Sequence, residues 1–176
     1  MRKCTLFLLL LICFVKANAQ EFVTTEVAKK NVLIEEFTGK KCGNCPIGHI
    51  ETKAIEEAYP GKVWSINIHG GFYSSLEYPN LNTPISDSLG TYFSPNQFPS
   101  SLINREDGKL YPNTRWRDVT DEQIQQTAVC NLAGQVAINP LTRVATVTVE
   151  IYYTSNSSSD KNYLNVFMLQ DSILGD

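Results

Sequence analysis

The sequence predicts an α/β domain followed by a short, all-antiparallel β region. Three observations carry that reading. An apolar run, Val32-Leu33-Ile34-Glu35-Glu36-Phe37, leads into Cys42-Gly43-Asn44-Cys45-Pro46 and out into a helical pattern. A second apolar run, Val63 to Ile68, follows the stop signal Pro60-Gly61. From Arg143 to Tyr153, Ala145, Val147, Val149, Ile151 and Tyr153 alternate with Val144, Thr146, Thr148, Glu150 and Tyr152, the period of a half-buried strand.

Taken in order, the chain opens with Arg2-Lys3, then an apolar stretch from Thr5 to Val15, then Ala17-Asn18-Ala19. That pattern is a signal peptide over residues 1–19, cleaved before Gln20, and the stretch is too short to span a bilayer. Export follows. Ile12 before Cys13 is too bulky for a lipoprotein cleavage site, and no later segment is apolar and long enough to cross a membrane. Of the 15 basic residues, Arg2, Lys3 and Lys16 leave with the signal, so 12 face 18 acidic ones, a formal charge of −6. Such a balance disfavours nucleic acid and anionic membrane surfaces as partners.

Cleavage also leaves three cysteines, Cys42, Cys45 and Cys130, in an oxidising compartment. Cys42 and Cys45 sit at a strand-to-helix turn, where the helix N-terminus favours thiolate over thiol, and Lys40 and Lys41 add positive charge. The pair therefore reads as redox-capable. As a static staple it is a poor choice, because a loop of about four residues gains only about 2 kcal/mol from chain entropy. Cys130, beside Val129 and Leu132, is expected to be a small buried apolar residue.

The helix after the turn is expected over residues 46–58, with Ile47, Ile50, Ala54 and Ala58 on one stripe and His49, Lys53 and Glu56 opposite. The second strand ends at His69-Gly70-Gly71. An aromatic loop follows, in which Phe72, Tyr73 and Tyr78 could line a substrate groove. A short helix is expected over 84–93, a third strand over 100–104, and a hairpin turn at Asp107-Gly108. Trp116, Val119 or Thr120, Ile124 and Ala128 suggest another helix, which the capping-box pattern at Thr120 could restart. Further strands are expected over 135–138 and 163–169. Three strands alone make a thin module with exposed edges, so the chain reads as a fragment of a longer protein. The division is residues 20–128 for the α/β domain and 129–176 for the incomplete β-rich region.

Strand, CxxC, helix, strand, short helix, Phe-Pro, strand and Asp-Gly hairpin, in that order, resemble the thioredoxin fold over residues 31–110. Glu36 stands six residues before Cys42, where thioredoxins carry a buried acid, and Pro99 matches the cis-proline whose backbone faces the disulfide. The layout with signal peptide and β-rich tail is similar to the twenty-eight-kilodalton outer-membrane-protein family. Those are exported thioredoxin-like proteins of Gram-negative bacteria with a sandwich-like C-terminal region. The resemblance implies a periplasmic or outer-membrane-associated protein. Two departures stand out: Lys41 replaces the tryptophan usual before the first cysteine, and the dipeptide is Gly-Asn, not Gly-Pro.

The functional expectation is thiol–disulfide exchange on other exported proteins bearing thiols or disulfides, without a cofactor. Cys42 attacks, Cys45 resolves, Glu36 handles a proton and Pro99 presents backbone to the substrate. Two alternatives stand beside it. One is an outer-membrane-associated structural or interaction protein with an inert disulfide. The other is a copper or zinc carrier using the cysteines with His49 or His69, although histidines twenty residues apart are not spaced as zinc ligands usually are.

Overall fold

The computed structural model describes residues 22–73 and 77–173. The signal-peptide expectation lies outside them. By contacts, residues 28–128 and 158–176 form one unit, and residues 129–157 with the N-terminal residues form the other. Among the described residues no helix is long and apolar enough to cross a membrane.

The larger unit is a mixed α/β structure with a four-stranded sheet and three helices. Strand β1 (Val32–Thr38) pairs in parallel with β2 (Val63–His69), in the register Val32↔Val63 to Thr38↔His69. On its other side β1 pairs antiparallel with β3 (Ser100–Ile103), which pairs antiparallel with β4 (Leu110–Pro112). The order is β2-β1-β3-β4, so β1, the strand that leads into the Cys42–Cys45 turn, is internal. Helix α1 (Cys45–Ala58) connects β1 to β2, and α2 (Pro84–Phe93) stands between β2 and β3. Thr83 caps α2 reciprocally with Ser86: each hydroxyl accepts from the other's backbone N–H. The β3–β4 hairpin turns through Glu106–Gly108, where Asp107 and Gly108 both have positive φ. Helix α3 (Trp116–Gln123) runs without a restart at Thr120, because Thr120 is buried inside it rather than capping a new helix.

Strand alternation divides the core into two layers. Val32 and Ile34 of β1 join Ile55 of α1, Val63, Ile103, and Trp116 and Val119 of α3. Phe37 points to the opposite face, with Ile68, Leu102, and Leu89 and Phe93 of α2. Glu36 and Thr38 consequently share the α1 face, and Glu35 shares the α2 face with Phe37.

Several expectations are corrected. The buried stripe of α1 is Cys45, Gly48, Thr52 and Ile55, not the stripe through Ile47, which is 57% exposed, and Ile50, at 71%. Glycine and threonine hold core positions here. Gly48 does so by lacking a side chain, and Thr52 by donating its hydroxyl to the Gly48 and His49 carbonyls. Residues 163–169 form no strand, since an apolar run favours one but supplies no partner edge for a ladder.

In the smaller unit β5 (Cys130–Asn139) pairs antiparallel with β6 (Val144–Tyr153) through ten opposed pairs. β5 extends well beyond the expected 135–138, since its ladder runs straight through Gly134. β6 is not half-buried: Val144, Val147, Ile151 and Tyr153 are all exposed. Asn131, buried in β5, donates to the Thr24 and Glu26 carbonyls, and Glu150 accepts from the Phe22 and Val23 N–H groups. Cys130 is a half-buried free thiol rather than a fully buried one.

Candidate functional site

The end of β1 delivers the chain to a tight turn. Gly39 is held against the backbone of Tyr73, and a side chain there would meet the Tyr73 carbonyl oxygen. Lys41 N–H donates to that oxygen at 3.1 Å, and Cys42 N–H donates to the Gly39 carbonyl at 3.0 Å. Asn44 then precedes α1, and Pro46 stands in its first turn, where a missing N–H costs nothing. The two cysteines are thereby placed on either side of the helix start, and they form a disulfide with Cα atoms 5.4 Å apart. Cys42 is 7% exposed and Cys45 only 1%, so Cys42 is the sulfur nearer solvent.

The lysines do not stand free beside Cys42. Lys40 donates to the Tyr78 carbonyl at 2.6 Å, and Lys41 pairs with Glu77 at 3.2 Å. Both are exposed, so they tie the turn to the 77–78 segment more than they charge the sulfur.

Beneath the turn lies Glu36, fully buried. Its Oε2 is 3.2 Å from His49 Nδ1, while its Oε1 has no hydrogen-bond partner among the described residues. Gly48 makes room for this carboxylate: a Cβ built there would lie 2.6 Å from Glu36 Oε1 and 3.0 Å from the Pro99 ring. Glu36, Gly48 and Pro99 thus meet at one point, three residues along α1 from Cys45. The Phe98–Pro99 peptide is cis, as is Tyr78–Pro79. Ser101, the cross-strand partner of Glu36, is fully buried and its hydroxyl is also unpartnered. Cross-strand partners share a face, so two unsatisfied polar groups occupy the α1 side of the sheet.

His49 bridges this pocket to the outside, with 40% of its side chain exposed. Its Nε2 is 3.5 Å from Thr38 Oγ1. The hydrogen bond to Glu36, reinforced by that group's charge, holds the imidazole above its ordinary value, against a smaller opposing effect of burial. His69, paired with Thr38 in the sheet, goes the other way: burial lowers it, and His49 lowers it further. Sequence reasoning put His49 on the polar side of α1 and weighed it only as a metal ligand, and so gave it no carboxylate partner. The signal that could have found one is a histidine directly after a helix glycine, opposite a strand glutamate.

The rim is apolar and amide-rich. Asn44, Ile47, Gln97, Phe98, Pro99 and Asn113 line an open depression of about 300 Å³. Tyr73 meets Phe98 edge-on with ring centroids 5.4 Å apart, while Tyr78 stays exposed; the Phe72 side chain lies outside what the structure describes. A larger depression of about 650 Å³ lies at the β5–β6 turn, but Leu141, Val144 and their neighbours bring no titratable group to it. Among the described residues no three His, Cys, Asp or Glu side chains are grouped to hold a metal ion.

No family model matches the chain, and no curated protein matches it. Among solved structures, HBP35 of Porphyromonas gingivalis is similar, at a TM-score of 0.49 and 22% identity. The match covers 62% of this chain and 38% of that one, so the chain spans about two fifths of HBP35's length.

Proposed function

We propose that the protein is an exported, thioredoxin-like thiol–disulfide exchange protein acting on other exported proteins, in the periplasm or at the outer membrane. We place it beside the twenty-eight-kilodalton outer-membrane-protein family, with residues 129–176 as part of a sandwich-like region. One observation carries the reading: the Cys42–Cys45 disulfide sits at the start of α1, three residues from the point where Gly48 meets Pro99 and a fully buried Glu36 with an oxygen unpartnered among the described residues. In the reduced protein Cys42 thiolate attacks a substrate disulfide, and the substrate's first sulfur leaves as thiolate. Cys45 then gives its proton to Glu36 and attacks Cys42 Sγ, releasing the second substrate sulfur. Exposed Ile47 and Ile50 and the amides of Asn44, Gln97 and Asn113 suit an extended peptide better than a small polar ligand.

The test is trapping. Cys45→Ala retains the attacking sulfur but cannot resolve, so mixed disulfides accumulate in cells as bands that vanish on reduction. Cys42→Ala with Cys45→Ala traps nothing and controls for Cys130. A second reading, an interaction protein with an inert disulfide, draws on the exposed Leu132, Val136, Ile138 and Ile151 of the β5–β6 ribbon. It replaces the first if Cys45→Ala traps no partner while loss of the pair unfolds the domain.

A further inference from the structure

We propose that His49 is a positioning residue for this exchange: it anchors the buried Glu36 through Nδ1 and balances, with a proton of its own, each proton Glu36 takes from Cys45. The inference rests on the exchange reading above and adds to it how a fully buried acid communicates with solvent.

The geometry is a short path from sulfur to water. Cys45 and His49 are one helical turn apart on α1, and Glu36 lies against Gly48 between them. Only one carboxylate oxygen is engaged, and it faces the imidazole; the other is unpartnered, packed against Gly48 and Pro99. The imidazole is 40% exposed, and its Nε2 lies 3.5 Å from Thr38 Oγ1. A carboxylate this deep cannot exchange protons with bulk water directly, and a lone buried charge would be costly. Paired with an imidazolium it forms a site of zero net charge. When Glu36 accepts the Cys45 proton, His49 releases one to water, and the pair is again neutral. Cys45 thiolate then forms the bond to Cys42, the Cys42–substrate bond breaks, and the substrate leaves as thiolate. Two electrons pass from the cysteine pair to the substrate disulfide. Reduction of the protein runs the same proton inward.

The other groups around His49 do not replace it. From β1 it meets Glu36 and the neutral Thr38 hydroxyl, and from β2 it feels His69, which burial lowers. On β3 the residue across from Glu36 is Ser101, whose hydroxyl carries no charge. On α1 itself, Lys53 lies toward Glu57 at 3.9 Å, Glu56 accepts from Ser65 N–H, and Glu51 pairs with Arg117 of α3 at 3.5 Å.

Stopped-flow mixing of the reduced protein with oxidised glutathione, between pH 5 and 9, separates the steps. The attack by Cys42 is read alone in a Cys45→Ala background. In the native protein the resolving step shows an inflection above about 6.5, the ordinary imidazole value, and His69 titrates below it. His49→Gln, which keeps a donor for Glu36 but does not titrate, loses that inflection. His49→Ala loses it too and resolves at least about tenfold more slowly at pH 7, while both leave the attack step unchanged. The same inflection in all three proteins overturns the role of His49 and leaves the exchange reading intact. Absence of attack by Cys42 overturns both.

Discussion

Glu35 and Glu36 are neighbours on one strand, both fully buried, and they are treated in opposite ways. On the α2 face Glu35 is saturated: Arg105 donates from Nη2 to Oε1 at 2.5 Å and from Nε to Oε2 at 2.6 Å. The guanidinium is itself held over the rings of Phe93 and Phe167, at 5.6 and 5.7 Å. On the α1 face Glu36 has, among the described residues, a single hydrogen-bond partner, a histidine, and one oxygen is left open. A two-pronged pairing to a group that never loses its charge serves structure. On the exchange reading proposed above, the half-satisfied carboxylate paired with an imidazole, a group whose charge can change, is the one placed for chemistry.

That contrast can be broken from either side. The largest effect is expected from Arg105→Ala, which strands the Glu35 carboxylate in the core. Breaking one partner of a buried pair costs about 3–5 kcal/mol, and the partial exposure of Arg105 puts the expectation near the lower end. Urea unfolding measures it, and a loss below about 1 kcal/mol would reduce the pair to the weight of a surface ion pair. Gly48→Ala comes next. Its Cβ meets Glu36 and Pro99 together, and overpacking of that kind costs about 1–3 kcal/mol. The same variant should slow resolution by Cys45, since the carboxylate must move; unchanged stability and rate together would show that the pocket yields freely.

Glu36→Gln reverses the pattern. Shape is kept and a buried charge is removed, so stability should change by less than about 1.5 kcal/mol. Glutathione release through Cys45 should slow by about 100-fold or more. A large loss of stability with a normal rate would make Glu36 structural after all, like Glu35.

The smallest effect is in pH. His49 is raised in the folded protein, so its pairing stabilises fully below the unfolded imidazole value of about 6.5 and is lost as pH rises through the folded one. His69 is lowered, so its contribution is present above about 6.5 and is lost as pH falls. Thermal unfolding of the oxidised protein should therefore show a gentle decline on the alkaline side that His49→Gln removes. If the decline persists in His49→Gln, some other group causes it.

Much of this architecture is legible from residue order. The strand–CxxC–helix junction, α2 at residues 84–93 and the hairpin at Asp107-Gly108 are marked by local signals such as apolar runs and turn residues. The cysteine pair, Glu36 and Pro99 were named from sequence, and the structure brings Glu36 and Pro99 together at Gly48. What periodicity missed is informative. The buried face of α1 is built from Cys, Gly and Thr, which carry little hydrophobic signal, while the isoleucines that carry most of it face outward. Arg105 was invisible because its bond to Glu35 spans seventy residues of sequence. The absent strand at 163–169 and the exposed faces of β6 share one cause. An apolar run or an alternating pattern records what a segment's own side chains favour, and pairing and burial depend on what lies opposite.

The alternation of the two glutamates has a consequence for how β1 finds its place. Sliding the strand by one residue against its neighbours would turn Val32 and Ile34 away from α1 and α3. Slid one way, it would carry Glu35 beneath Gly48 and leave Arg105 facing Ile34; slid the other way, it would put Phe37 beneath Gly48 and Glu36 opposite Arg105. Apolar side chains tolerate such exchanges at modest cost, but a misplaced carboxylate does not. The adjacent acids thus act as a key with two different teeth, one cut for a guanidinium and one for an imidazole. Only the alignment that pairs Val32 with Val63 and Ile34 with Ile103 lets both teeth engage.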